Sequence, residues 1–271
     1  MKNIWVIGLV LLIFSGCVVN SVTGRKQLSL VSESELQAMS LNEYKSFLDS
    51  NKVVPPANPN AAMVANVGKR ISTAITKYYD AQGKGAVLDG YKWEFNLVES
   101  PEVNAWCMPG GKVVVYTGLL PVTQNETALA IVMGHEIAHA IAHHGNERMS
   151  EGMLQQLGGS VLEVALAKQP EQTKSIFMTS YGIGSQVGVM LPFSRQQESE
   201  ADKLGLFFAA MAGYDPQQAI PFWQRMASMG GSKPPEFMST HPADETRIKK
   251  LQEIMPEALN YYNQAKKQEN T

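Results

Sequence analysis

Cysteine is nearly absent: the 271-residue chain has two, Cys17 and Cys107. A disulfide framework is excluded, and so is a cysteine-rich structural metal site. Lysine and arginine clusters are also missing. The 23 basic and 25 acidic side chains are dispersed and leave a net charge of −2, which argues against a nucleic-acid partner. No stretch repeats at a fixed period, and no tail of this sequence is long enough for a second domain. The stretch 151–190, rich in Gly, Ala, Met and Ser, carries Glu163, Lys168, Glu171 and Lys174 and does not read as a membrane span. What remains is an ordinary globular composition, 44% hydrophobic and 18% charged, long enough to bury a substantial core in one domain.

The apolar run that does stand out lies at the start. Ile4 to Phe14 follows Met1-Lys-Asn, with its single positive charge, and is too short to span a bilayer comfortably. It ends in Phe14-Ser-Gly-Cys17. A small residue before a cysteine, after a short apolar run, resembles the bacterial lipobox, with Phe14 where leucine is usual. The resemblance implies a signal peptide over residues 1–16, cleavage before Cys17 and lipid on that cysteine. An ordinary secretory signal and an uncleaved anchor are the alternatives. The processed chain has 271 − 16 = 255 residues, with Cys107 its one free thiol and a packing residue.

Chemistry is concentrated in Gly134-His-Glu-Ile-Ala-His-Ala-Ile-Ala-His-His-Gly145. It contains His135-Glu136-x-x-His139. Residues four apart share a helix face, so both imidazoles reach one ion, and Glu136 acts on a water beside it. Two histidines that bind zinc and a glutamate that serves as general base make the helical zinc-hydrolase signature. Asn125-Glu126 reads as a helix start, and Ala128, Leu129, Ile131, Val132, Ile137, Ala138 and Ile141 make the helix apolar. Polar groups on so apolar a helix need a reason. The bland one is that they simply find partners; metal binding is the other.

Around this helix the chain alternates between types of element. Residues 18–32 read as an extended tether. Ser32-x-x-Glu35 is a capping box for a helix to about Leu48. Val54 to Pro59 is a stiff linker, and Asn60 to Tyr79 has helical spacing of Met63, Val64, Val67, Ile71, Ala74 and Ile75. Tyr91 to Val98 alternates with period two, a half-buried strand. Val103 to Met108 and Lys112 to Tyr116 predict two more strands around a turn at Pro109-Gly-Gly111. Two helices broken near Gln169-Pro170 follow the motif, then helices over Pro192 to Ala212 and Asp215 to Met229. Gly230 to Ser239 reads as a loop, and Thr240-His-Pro242 opens a last helix with Pro242 at its first position.

A catalytic zinc takes three protein ligands and keeps one position open. The metzincin spacing places Ala142 and Gly145 where that class needs Gly and His, which excludes it. Three histidines on successive turns of one helix do not converge, so His143 and His144 read as helix-surface residues. Glu198 is the better third ligand. It lies in Ser194-Arg-Gln-Gln-Glu-Ser-Glu-Ala-Asp202, with Asp202 four residues on, placed to accept an N–H from a ligand histidine and fix its tautomer. Glu200 points elsewhere and reads as structural. The competing reading of this stretch is a solvated face of ion pairs.

His-Glu-x-x-His followed by Ser-Arg-x-x-Glu-x-Glu-Ala-Asp resembles the gluzincin metallopeptidases of the HtpX/BepA/LoiP type, in a minimal lipoprotein form. Val22 to Leu30, Asn104-Ala105 with Pro109-Gly-Gly111, Gly118-Leu-Leu120 and Ser239-Thr-His-Pro242 resemble further segments of that family, so the likeness runs from about residue 20 to 255. The transmembrane pair and the tetratricopeptide tail found in some members are missing. The resemblance implies an α+β, mainly helical fold: a zincin-like catalytic domain over residues 60–271 with a small sheet packed on the motif helix, behind a tether and N-terminal helix over 17–59. It implies a zinc endopeptidase of the bacterial cell envelope tied to protein quality control. Such an enzyme holds one Zn²⁺ per chain and acts on unfolded or misassembled proteins. Its anchor is lipid on the periplasmic side, at the outer membrane rather than the inner.

On that reading His135, His139 and Glu198 hold the metal, Glu136 is the base and Asp202 orients a ligand. Val103 to Met108, with Asn104 and Ala105, forms the rim of a cleft to which substrate adds as a strand. Members of this family carry a histidine in the Thr-His-Pro setting that approaches the metal. His241 is then either a latch that displaces the catalytic water or a donor to the oxyanion. The alternative of another class is a chaperone-like envelope assembly factor that keeps the fold and the zinc. An intact Glu136 argues against it.

Overall fold

The protein is described by a computed structural model over residues 17–158, 160, 162–183, 193–229, 236–241 and 245–269. The expected signal segment 1–16 lies outside them, as do Gly230-Gly231 and Pro242. Cys17–Val19 (β1) and Lys26–Leu28 (β2) pair antiparallel in a small ribbon. The expectation of an extended tether over 18–32 is therefore corrected. The ribbon is docked, because Asn20 Nδ2 and Gln27 Nε2 both donate to the Ala142 carbonyl at 2.9 Å. That carbonyl sits at the end of the motif helix, where no intrahelical donor remains to satisfy it.

Glu33–Ser50 (α1) starts at the Ser32–Glu35 capping box, and Pro59–Ala81 (α2) is capped by Asn58 with proline in its first turn. The three-stranded sheet follows: Glu94–Val98 (β3), Ala105–Met108 (β4) and Lys112–Tyr116 (β5). Its order is β3-β5-β4, with β3 parallel and β4 antiparallel to β5, which leaves β4 at an edge. Gly110 and Gly111 make the β4–β5 turn at φ +76° and +79°, which only glycine adopts without strain. The strand expected from Tyr91 begins at Glu94; Tyr91 and Trp93 still extend its aromatic row, with Trp93 stacked on Phe95 at 6.1 Å.

Glu126–Ile141 (α3) carries the motif. His143, at φ +55°, breaks the helix there, and His144–Leu157 (α4) begins in a new direction. Leu162–Lys168 (α5) and Pro170–Ser180 (α6) follow, separated at Gln169 as expected. Next come Arg195–Met211 (α7), Ala219–Ser228 (α8), Glu236–Thr240 (α9) and Glu245–Glu269 (α10). One reading changes here. The loop expected over 230–239 contains the helix α9. His241 closes that helix, its N–H on the Phe237 carbonyl at 2.8 Å. Among the described residues no helix is long and apolar enough to cross a membrane.

α3 is the centre of the core. Every residue from Ala128 to Ile141 is buried, between the sheet, α2 and α7. Its tightest neighbour is α7. A Cβ on Gly134 would lie 2.6 Å from the Gly205 carbonyl oxygen, and one on Gly205 would lie 2.6 Å from the His135 nitrogen. The two backbones touch because neither helix carries a side chain at the crossing. That contact sets His135 against the N-terminal half of α7.

Candidate active site

Asn125 caps α3 through its side chain to the Ala128 N–H, and the helical repeat then brings His135 Nε2 and His139 Nε2 to 3.0 Å. α7, started by a Ser194–Gln197 capping box, brings Glu198 into the same place. Glu198 Oε1 is 3.2 Å from His139 Nε2, and Oε2 is 3.6 Å from His135 Nε2. His241 Nδ1 completes the group, 2.8 Å from Glu198 Oε1 and 3.1 Å from His135 Nε2. Its ring is held between Phe193 and Phe237, at 5.1 and 4.6 Å. One ligand atom from each of His135, His139, Glu198 and His241 falls within 4.8 Å of the others, and all four residues are buried.

Around this group stand charged and polar residues in direct contact with it. Asp202 Oδ1 is 3.0 Å from His135 Nδ1. Arg247, which no local pattern singled out, donates to Asp202 at 2.6 Å, lies 3.0 Å from Glu198 Oε2 and covers the Trp223 ring at 3.2 Å. It arrives on α10, far along the chain, and only its place in the fold identifies it. The placement of His144 on a helix surface is corrected: it is fully buried, with Nδ1 2.9 Å from His139 Nδ1. Glu200, read as structural, stays outside the ligand group and accepts from His144 Nε2 at 2.9 Å behind it. The cause of the His144 error is local. The break at His143 turns His144 inward, and continuous helical periodicity does not foresee it. His143 itself faces away, 2.9 Å from Glu33.

These groups suit a metal ion. With its Nδ1–H given to Asp202, His135 presents a bare lone pair at Nε2 to two other imidazoles and a carboxylate. A cation there would take all of these lone pairs at once, whereas without one each close contact depends on which facing nitrogen carries a proton. Glu136 Oε1 is buried beside them without a hydrogen-bond partner, 3.5 Å from His241 Nε2. Nitrogen and carboxylate donors in a tight, buried set are what zinc takes.

Protonation fits as well. Burial keeps the His135 and His139 imidazoles well below their ordinary range, hence neutral. Burial opposes charge on Glu198, but His241, Arg247 and His135 together hold its carboxyl well below the usual value. Burial pushes Glu136 up to about 7, with His241 pulling it down and Glu198 pushing it further. Asp202 is likewise pushed by burial to about 6, against the pull of Arg247. Burial lowers His241, yet the carboxylates of Glu198 and Glu136 outweigh it and raise its pKa. Cys107 is buried and its thiol is pushed up, away from the thiolate that a nucleophile needs.

The sheet edge stands beside the motif helix, with β4 packed on α3. The Asn104 carbonyl accepts from the Tyr116 N–H at 3.0 Å, so by alternation the Ala105 amide faces away from β5, where Asn104 Oδ1 caps it at 2.9 Å. The Val103 carbonyl accepts from the Phe237 N–H at 3.2 Å, which joins the start of this edge to α9 and His241.

Comparison with known proteins agrees with this geometry. The profile of peptidase family M48 matches residues 69–255. The mitochondrial metalloendopeptidase OMA1 of Saccharomyces cerevisiae is 33% identical over 222 residues, covering 79% of this chain and 61% of the relative. That of Schizosaccharomyces pombe is 32% identical over 241 residues, covering 88% and 66%. The beta-barrel assembly-enhancing protease of Escherichia coli is 27% identical over 232 residues, covering 74% and 47%. The chain thus spans less than two thirds of the length of each of these relatives.

Proposed function

Since this chain belongs to peptidase family M48, we propose that it is a zinc endopeptidase in which His135, His139 and Glu198 hold one Zn²⁺ and Glu136 is the general base. One observation carries the reading: neutral Nε2 atoms and an ionised carboxylate converge beside a buried, unpartnered Glu136 oxygen. Bound zinc supplies the Lewis acidity that polarises a carbonyl and brings the pKa of a water to ~7. The protein does the rest. Asp202 and Arg247 hold His135 in one tautomer, Glu136 takes the proton of the attacking water, and the same carboxyl returns it to the leaving amine. The test is metal analysis and casein cleavage by the purified protein. One zinc per chain and cleavage abolished by chelation are expected; cleavage undiminished in metal-free protein would overturn the reading.

His241 is a latch on this reading. The support is its position: Nδ1 lies within the ligand group, 3.1 Å from His135 Nε2, where an attacking water is needed. His241→Ala then raises kcat, by about tenfold if the latched form outnumbers the open one ~10 to 1. A fall of ~10²–10³-fold with zinc retained would instead make His241 an oxyanion donor.

Substrate adds to the β4 edge as an extended strand, displacing Asn104 Oδ1 from the Ala105 N–H. Recognition through backbone groups is sparing of side-chain identity and suits unfolded or unassembled proteins. Ala105→Pro removes an outward N–H and leaves the ladder to β5 intact. KM for casein is expected to rise several-fold at unchanged Tm; unchanged KM would place the docking edge elsewhere.

The site of action is the bacterial cell envelope, with the chain held on the periplasmic side, at the outer membrane, by lipid on Cys17. Support comes from the lipobox-like Phe14 to Cys17, the exposure of Cys17, and the likeness to the Escherichia coli protease. Cys17→Ser is expected to abolish acyl labelling and leave activity in detergent unchanged. Label incorporated at wild-type level into that variant would sink the anchor.

A further inference from the structure

The metal reading above accounts for the tautomer of His135 through Asp202, but leaves open what orders His139. Resting on that reading, we propose that Arg25, Glu200 and His144 are positioning residues: a hydrogen-bonded chain that fixes the proton of His139 on Nδ1 and leaves the Nε2 lone pair for the metal.

Arg25 Nε lies 2.9 Å from Glu200 Oε1, and Glu200 Oε2 lies 2.9 Å from His144 Nε2. His144 Nδ1 is in turn 2.9 Å from His139 Nδ1. The direction of each bond follows from the one before it. A guanidinium only donates, and an ionised carboxylate only accepts. His144 must therefore donate from Nε2. A neutral imidazole has a single N–H, so His144 Nδ1 is an acceptor and His139 must donate to it from its own Nδ1. That uses the one proton of His139, and its Nε2 faces Glu198 and His135 as a lone pair. His144 is 0% exposed, so water does not offer another partner that could reverse the order.

The second ligand is served by a shorter chain of the same sense, Arg247 to Asp202 to His135. Glu200 and Asp202 are two residues apart on α7 and so lie on different faces of it. Asp202 meets its imidazole directly. Glu200 does not reach His139, and the buried His144 spans the gap.

This gives the β1–β2 ribbon a task in the site. Arg25 sits beyond the turn of that ribbon and is held by a two-pronged pair with Glu147, both N–O distances 2.6 Å. Gln197 supports Glu147 at 2.8 Å. The segment next to the proposed lipid anchor thus reaches His139, the proposed ligand, through three hydrogen bonds.

The test uses the full chain and two readouts: ¹⁵N spectra of histidine-labelled, metal-free protein, and Zn²⁺ affinity by chelator competition. Wild type is expected to hold His139 in the Nδ1–H tautomer. His144→Phe, which keeps bulk but cannot accept, should lose that preference and bind Zn²⁺ ~10–100-fold more weakly. Glu200→Gln should act in the same direction, and Arg25→Lys should retain more affinity than Arg25→Ala. If His144→Phe does not fold, Glu200→Gln carries the test, because that side chain is partly exposed. Unchanged tautomer and zinc Kd within about twofold in folded variants would overturn the proposal. If wild type binds no zinc, the metal reading fails, and the tautomer spectra still decide whether the chain is ordered as stated.

Discussion

Glu136→Gln lowers casein cleavage by about 10²–10⁴-fold while zinc content and Tm stay at wild-type values. The substitution keeps the shape of the side chain and removes its basicity, since an amide does not take up a proton at these pH values. Glu136 is 4% exposed and its Oε1 has no hydrogen-bond partner, so the change breaks no hydrogen bond at that oxygen. It is also outside the converging ligand set, which is His135, His139, Glu198 and His241. Its pKa of about 7, set first by burial, is the value of a group that both accepts and returns a proton near neutrality. A bound cation draws that value down. His139→Ala is the contrasting variant, expected to lose zinc and activity together. Steady-state kinetics alongside metal analysis separates the two, and near wild-type turnover in Glu136→Gln would falsify the assignment of the base.

Gly205→Ala is expected to destabilise the protein by about 1–3 kcal/mol and to release zinc, although alanine is the better helix former. The added Cβ would meet the His135 nitrogen at 2.6 Å and its Cα at 2.7 Å. Both are backbone atoms of a buried helix, so no rotamer relieves the contact. α3 and α7 must part, and they are the helices that carry His135 and His139 on one side and Glu198 and Asp202 on the other. Gly85→Ala is the control: its Cβ would meet the Asp80 Oδ1 at 2.7 Å, the end of an exposed side chain that turns aside. By intrinsic propensity alone, Gly205→Ala would stabilise the helix by about 1 kcal/mol. The sign of the change in Tm therefore decides whether the crossing is as tight as described, and a rise in Tm with zinc retained would show that it is not.

Much of the site was legible because it is local. His135 and His139 need only a helix to share a face, and the Asn125 cap and the apolar run supply it. Glu198 and Asp202 follow the same spacing on a second capped helix. The helices over 33–50 and 59–81 and the turn at Gly110-Gly111 are also written in caps, apolar spacing and glycine, each within a few residues. The errors fall where a short-range rule met a long-range contact. Residues 18–32 carry no strong local pattern, and distant partners hold them: the Ala142 carbonyl takes Asn20 and Gln27, and Glu147 and Glu200 take Arg25. His144 continues the helical pattern in sequence but follows a left-handed residue in space.

The sequence by itself determined that His135, Glu136 and His139 lie on one helix with both imidazoles on one face, since that spacing is set by 3.6 residues per turn. Only the tertiary structure decided how they are held. Arg247 meets Asp202 and Glu198, Arg25 meets Glu200, and Gly134 meets Gly205 across gaps that no periodicity spans. Such contacts depend on how whole helices cross and on where a buried polar atom finds its partner. A donor for the Ala142 carbonyl or an acceptor for the His139 N–H is chosen by position in the folded core, and its place along the chain is free.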